Sequence, residues 1–141
     1  MKLKNVIKPK LEDIENIVAV DREVTSNNSR RGYIRKAVEE DRCIVVKNDN
    51  RIVGFLIFDT NFFNCSFISL IIVSPTARRK GYATSLIDYF VKIASTQKVF
   101  SSTNLSNKDM QKVFIANGFV QSGVVENLDE GDPEIIYFKS K

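Results

Sequence analysis

Two hydrophobic periodicities alternate along this 141-residue chain. In LEDIENIVAVDREV, Leu11, Ile14, Ile17 and Val18 recur at helical spacing with acidic residues early, which predicts a helix over 11–24. The polar stretch TSNNS breaks it. A second helix is predicted in RRGYIRKAVEED, where Tyr33 and Ala37, and Ile34 and Val38, repeat four residues apart. Ahead of both, KLKNVIK reads as a short strand ended by Pro9.

The next segments change period. CIVVK, RIVGFLIFD and SFISLIIV predict three strands, with Asp49–Asn50 as a hairpin turn between the first two and NFFN closing the second. These strands are apolar on both faces, so further layers should cover them. Helical spacing returns in TSLIDYFVKIA, where Leu86, Ile87, Phe90, Ile93 and Ala94 share one face. KVFSSTN then reads as a strand, NKDMQKVFIAN as a helix stopped at Gly118, and FVQSGVV with EIIYFK as a closing strand pair. The predicted order is β-α-α-β-β-β-α-β-α-β-β, an α/β sandwich around a mixed sheet.

Composition narrows the class. Hydrophobic residues make up 43% and charged residues 27%, as expected of one globular domain over 1–141 with a real core. No apolar run reaches bilayer length, and MKLKNVIKPKLEDIENI turns acidic too early for a signal peptide, so a cytoplasmic protein without membrane contact is expected. Cys43 and Cys65 fit two reduced thiols. The absence of histidine removes Ser-His-Asp triads, Cys-His pairs and histidine-ligated zinc, and no metal is expected. A net charge of +4 argues weakly for nucleic acid, because the cations form no continuous stripe and ENLDEGDPE would repel phosphates. No nucleic-acid partner is expected.

One corner concentrates charge. VSPTARRKGYATSLI brings Arg78, Arg79 and Lys80 against Gly81 where a strand gives way to a helix. Glycine there permits a close backbone approach, and the leading N–H groups of a helix have no internal acceptors. An anion at residues 78–84 would meet several amides and nearby cations. The alternative is a solvated basic turn. Neither GxxxxGK[ST] nor GxGxxG occurs, so a Walker-type loop and a dinucleotide fingerprint are both unsupported.

What remains is Val-x-Pro-x-x-Arg-x-x-Gly-x-Ala, after an apolar strand and opening an amphipathic helix. With the element order above, this pattern resembles the GNAT superfamily of N-acetyltransferases, as does the later Gly118–Phe119 landmark. The resemblance covers essentially the whole chain. It implies a GNAT-like mixed, mostly antiparallel sheet flanked by helices on both faces, and acetyl-CoA as acetyl donor. Backbone amides of Arg78, Arg79, Lys80, Gly81, Tyr82, Ala83 and Thr84 would hold the pyrophosphate. Ile71, Ile72 and Val73 would pair with the pantetheine arm like another strand, and an N–H near Val73 would polarise the thioester carbonyl. Asn104 and Asn107 would contact pantetheine, although Asn107 also suits a helix N-cap.

The chain departs from the family pattern twice. Many members carry an acid in the middle of the strand feeding the motif; here Ser69 stands there, able to orient a water but not to act as a base. Many carry a tyrosine four residues before the late glycine as proton donor to the thiolate. Here it is Phe114, counted among the coenzyme A contacts but unable to give a proton, so water or the substrate ammonium must serve. Among the acids of ENLDEGDPE, Glu134 is the first choice of base and Asp129 the second, against the plainer reading of a hydrophilic turn. Arg31 and Tyr33 are expected to border the acceptor pocket, with core packing an equal alternative for Tyr33. The resemblance implies direct transfer to a small-molecule or protein amine and leaves room for a homodimer. A non-catalytic coenzyme A sensor is the alternative.

Overall fold

A computed structural model describes residues 5–141. In chain order the elements are β1 (Asn5–Ile7), α1 (Ile14–Thr25), α2 (Arg31–Glu39), β2 (Cys43–Asn48), β3 (Arg51–Phe62) and β4 (Cys65–Val73). Then come α3 (Tyr82–Ile93), β5 (Lys98–Asn104), α4 (Lys108–Ala116), β6 (Val120–Val125) and β7 (Glu134–Ser140). Element types and order match the sequence reading. The part of the predicted opening strand before Asn5 lies outside the described residues.

The strands are hydrogen-bonded in the order β1-β2-β3-β4-β5-β7-β6. The β4–β5 pair is parallel, while β1–β2, β2–β3, β5–β7 and β6–β7 are antiparallel. This is an α/β fold with four helices and a mixed, mostly antiparallel seven-stranded sheet. The last strand in sequence inserts between β5 and β6, a placement that hydrophobic pattern does not encode. Among the described residues no helix is long and apolar enough to cross a membrane.

Contacts divide the chain into two compact units. The described residues of the first are 5–58 and 70–90. Its core joins Ile14, Ile17 and Val18 of α1 and Ile34, Ala37 and Val38 of α2 to Val45, Phe55 and Ile57 of the strands. These are helical-period residues that the sequence singles out, and burying them supplies most of the helices' stability; Leu11, predicted with them, instead lies exposed on a 3-10 turn ahead of α1, and Tyr33 is exposed on α2. Asp21, buried in α1, is held by the forked guanidinium of Arg30, with Nη2 at 2.9 Å and Nε at 3.1 Å. The 49–50 turn forms as predicted, with Asp49 and Asn50 both at positive φ.

The second unit comprises residues 59–69 and 91–141. Its buried centre includes Val99, Phe114, Phe119, Ile135 and Tyr137. One predicted boundary is corrected here. The turn after β3 falls within NFFN as predicted, but the strand runs past Asp59 through Phe62, leaving Phe63–Asn64 as the turn, with φ of 50° and 63°. Aromatic contact explains the extra length, because the Phe62 ring stacks on Phe67 at 5.0 Å and meets Phe100 at 5.0 Å.

Candidate active site

The basic corner is built from buried anchors beneath exposed cations. Ser74, which follows β4, is fully buried: its N–H donates to Val53 O at 2.7 Å, and its hydroxyl donates to Glu23 Oε2 at 2.9 Å. Pro75 opens a single 3-10 turn through buried Ala77, whose N–H closes on Ser74 O at 2.9 Å. Arg78, Arg79, Lys80 and Gly81 then stand exposed. Arg79 and Gly81 both adopt left-handed backbone, φ 62° and 84°, so the peptides on either side of Lys80 turn sharply. Backbone of alternating handedness can present successive N–H groups to an anion. Ser85 donates to Gly81 O from both its N–H and its hydroxyl, each at 3.0 Å, closing the first turn of α3. The helix N-terminus beyond it adds partial positive charge.

The helix starts two residues earlier than the sequence predicts, because the Tyr82 ring is buried and anchors the first turn. Ala83 is half-buried and Thr84 exposed. The Arg78 guanidinium folds back, its Nε donating to Val73 O at 3.4 Å. Ile71, Ile72 and Val73 are half-buried in β4. The parallel pairing of β4 with β5 covers Ser66–Ile68 against Val99–Ser101. Leu70–Val73 lies beyond that paired stretch. A glycine that sequence reading passed over, Gly54, faces this stretch: a Cβ there would meet Ile72 O at 3.0 Å and Val73 Cγ2 at 3.3 Å.

In the second unit, β5 and β7 organise the acidic segment. Glu134 opens β7 opposite Asn104, and its Oε2 accepts from Ser102 Oγ at 2.7 Å. Both side chains are half-buried. Asn104 is engaged with the acidic loop: its Nδ2 donates to Asp129 Oδ2 at 2.8 Å and Asp132 O at 3.2 Å. Asp132 accepts from Ser106 N–H at 2.9 Å and Ser106 Oγ at 2.6 Å. The loop is thus tied to the β5–α4 turn at several points, unlike a free hydrophilic turn. Asn107 is the N-cap of α4, its Oδ1 accepting from Met110 N–H at 3.1 Å.

Phe114 requires revision as a coenzyme A contact. It is 1% exposed, stacked on Tyr137 at 5.1 Å and tilted against Phe119 at 5.3 Å, so its ring belongs to the core. Ser69 is half-buried in β4. Arg31 pairs with Glu15, and Tyr33 is exposed rather than packed in the core. Sequence reading missed Ser102. Strand alternation puts it on one face with Asn104, but its partnership with Glu134 depends on β7 lying beside β5.

The fold and the glycine-bearing basic turn after β4 define an α/β protein of the acetyltransferase class. Residues 11–119 match the model of the Acetyltransferase (GNAT) family, and the chain belongs to that family. It is 59% identical to an acetyltransferase of the GNAT family from Bacillus cereus ATCC 10987, with a TM-score of 0.96 over 99% of both chains. Ard1 from Thermoplasma volcanium shares the fold at 16% identity, TM-score 0.85, over 99% of this chain and 98% of its own. A candidate streptothricin acetyltransferase from Bacillus anthracis, solved with acetyl coenzyme A, shares it at 21% identity, TM-score 0.65, over 70% and 61%. No curated protein matches. The chain is therefore a GNAT acetyltransferase, an acyltransferase; the family uses acetyl-CoA and acetylates amine acceptors.

Proposed function

We propose that this acetyltransferase moves an acetyl group from acetyl-CoA directly to a primary amine, with Glu134 as the base. The hydrogen bond from Ser102 Oγ to Glu134 Oε2 carries this reading. It fixes one carboxylate oxygen and leaves the other lone pairs for a substrate ammonium. Asp129 is the weaker choice, because it stands exposed on the loop between β6 and β7, whereas Glu134 is half-buried at the start of a strand.

The residues of the basic turn suit the diphosphate of coenzyme A. Gly81 has no side chain to obstruct approach, Arg79 and Gly81 turn the backbone through positive φ so that successive N–H groups could face an anion, and exposed Arg78 and Lys80 add charge. Main-chain groups of Ile71–Val73 would hold the pantetheine amides, and an N–H at the end of that stretch would stabilise negative charge growing on the acyl oxygen.

Glu134 takes one proton from the acceptor ammonium, and the neutral nitrogen attacks the acyl carbon. A C–N bond forms as the C–S bond breaks. The nitrogen then loses its second proton, which the departing sulfur takes directly or through water, giving an acetamide, free coenzyme A thiol and protonated Glu134. No tyrosine stands at position 114 to supply that proton. Ser69 is assigned at most to ordering a water.

The test is thiol release from acetyl-CoA with pooled amines, comparing wild type with Glu134→Gln. Turnover should fall by about 100-fold or more, within the usual worth of a general base, while coenzyme A still raises the melting temperature. Equal turnover in the two proteins rejects Glu134.

A further inference from the structure

Beside the Ser102–Glu134 pair lies a row of aromatic rings that nothing above assigns. Phe67 on β4 is level with Phe100 on β5, and Phe100 with Phe138 on β7. Phe62 bridges Phe67 and Phe100, with centroid distances of 5.0 Å to each, and Phe100 to Phe138 is 5.2 Å. Four rings on four neighbouring strands are thus linked through Phe62 and Phe100.

The two faces of this part of the sheet differ in cover. Val99, Ser101 and Thr103 of β5 and Ile135 and Tyr137 of β7 are buried, and α4 lays Phe114 on Tyr137. The alternate residues point the other way. Phe100, Ser102, Phe138 and Glu134 among them are only half-buried, as are Phe62 and Phe67. Rings that served only as core filling would be closed off as Phe114 is. Instead an apolar, polarisable strip ends at a carboxylate.

The spacing is specific. Along β5, Ser102 follows Phe100 by two residues, about 7 Å on the same face. Glu134 leans toward Ser102, so its carboxylate lies about one pleat from the Phe100–Phe138 pair. That gap matches a primary amine separated by two or three carbons from a flat aromatic group.

We infer that the Phe62–Phe67–Phe100–Phe138 row is an acceptor subsite, and that the preferred acceptor is an arylalkylamine whose ring lies on Phe100 and Phe138 while its ammonium meets Glu134. This inference rests on the proposed role of Glu134 and adds a substrate class to it. Ring stacking and the exclusion of water would set affinity, and the carboxylate would set orientation.

The chain contains no tryptophan, so the indole fluorescence of tryptamine reports its binding without background from the protein. Tryptamine should bind saturably, and hexylamine should compete about tenfold less well, the worth of a ring contact near 1.4 kcal/mol. Phe100→Leu and Phe138→Leu, which keep an apolar side chain, should each raise the tryptamine Kd about tenfold while coenzyme A protection against heat is retained. Equal competition by hexylamine, absence of saturable binding, or Kd values untouched in both variants overturns the aromatic subsite. Glu134→Gln separates the two proposals: ring-dependent binding with wild-type turnover in that variant removes the base assignment and leaves the subsite standing.

Discussion

Gly54 of β3 lies directly against the carbonyl of Ile72 in β4, where a methyl group would fit only if its neighbours gave way by a few tenths of an ångström. A Cβ at that position would stand 3.0 Å from Ile72 O, 3.2 Å from Val46 Cγ1 and 3.3 Å from Val73 Cγ2. The backbone it presses on is the stretch proposed to pair with pantetheine. Gly54→Ala should therefore cost about 1–3 kcal/mol of stability by overpacking and also displace Ile72–Val73. Calorimetry and coenzyme A titration check both effects. A variant with lower melting temperature and unchanged affinity would show that this edge does not hold the cofactor.

Gly81 carries a different constraint. Its φ of 84° is a region that β-branched residues rarely adopt, at a cost of about 1–3 kcal/mol. Gly81→Val should remodel the turn and abolish the rise in melting temperature that coenzyme A gives the wild type. Protection of equal size in the variant would argue against amide-mediated phosphate binding at this corner.

Phe114→Tyr restores a phenol at the position where many family members carry one, but the ring here is enclosed by Phe119 and Tyr137. A hydroxyl added without a partner should destabilise the fold by about 1–3 kcal/mol and leave turnover unimproved. Steady-state kinetics beside a thermal melt decide the matter; a faster enzyme would mean that position 114 reaches the departing sulfur.

The two cysteines should respond differently to thiol reagents, and Cys43 should make stability fall at high pH. Burial pushes the Cys43 thiol up from 9.0 to about 12, against a smaller opposing pull from Arg42. Its folded form therefore holds its proton more tightly than the unfolded chain does. The resulting stability is fully present below pH 9 and is lost as pH rises from 9 toward 12, on the order of 4 kcal/mol across the window. Burial also raises the Tyr137 phenol, which acts in the same direction. Denaturant melts from pH 8 upward should show falling stability. At neutral pH a disulfide reagent should label half-buried Cys65 readily and Cys43 only on unfolding.

Much of the fold was legible because local periodicity and local chemistry coincide. Leu86, Ile87 and Phe90 announce the buried face of α3, Asp49–Asn50 tolerates the left-handed backbone of a tight turn, and Asn107 supplies the oxygen that caps α4. These features depend on neighbours within a few residues, where side-chain spacing and backbone preference act directly. Gly81 beside three cations belongs with them, since a positive-φ turn at a helix start is a local event.

Long-range partners were not legible. Nothing in EIIYFK states that it runs between β5 and β6, yet that placement alone brings Glu134 to Ser102. The same insertion sets Phe138 beside Phe100, and strand registration sets Phe100 beside Phe67. Phe114 looked available from its position near the late glycine, and only packing against Tyr137 withdrew it. Sequence determined the elements, the turn chemistry and the basic corner, because each is governed by a short stretch of chain. Tertiary structure decided which acid finds a hydrogen-bond donor and which rings meet, because strand order and register join residues more than thirty positions apart.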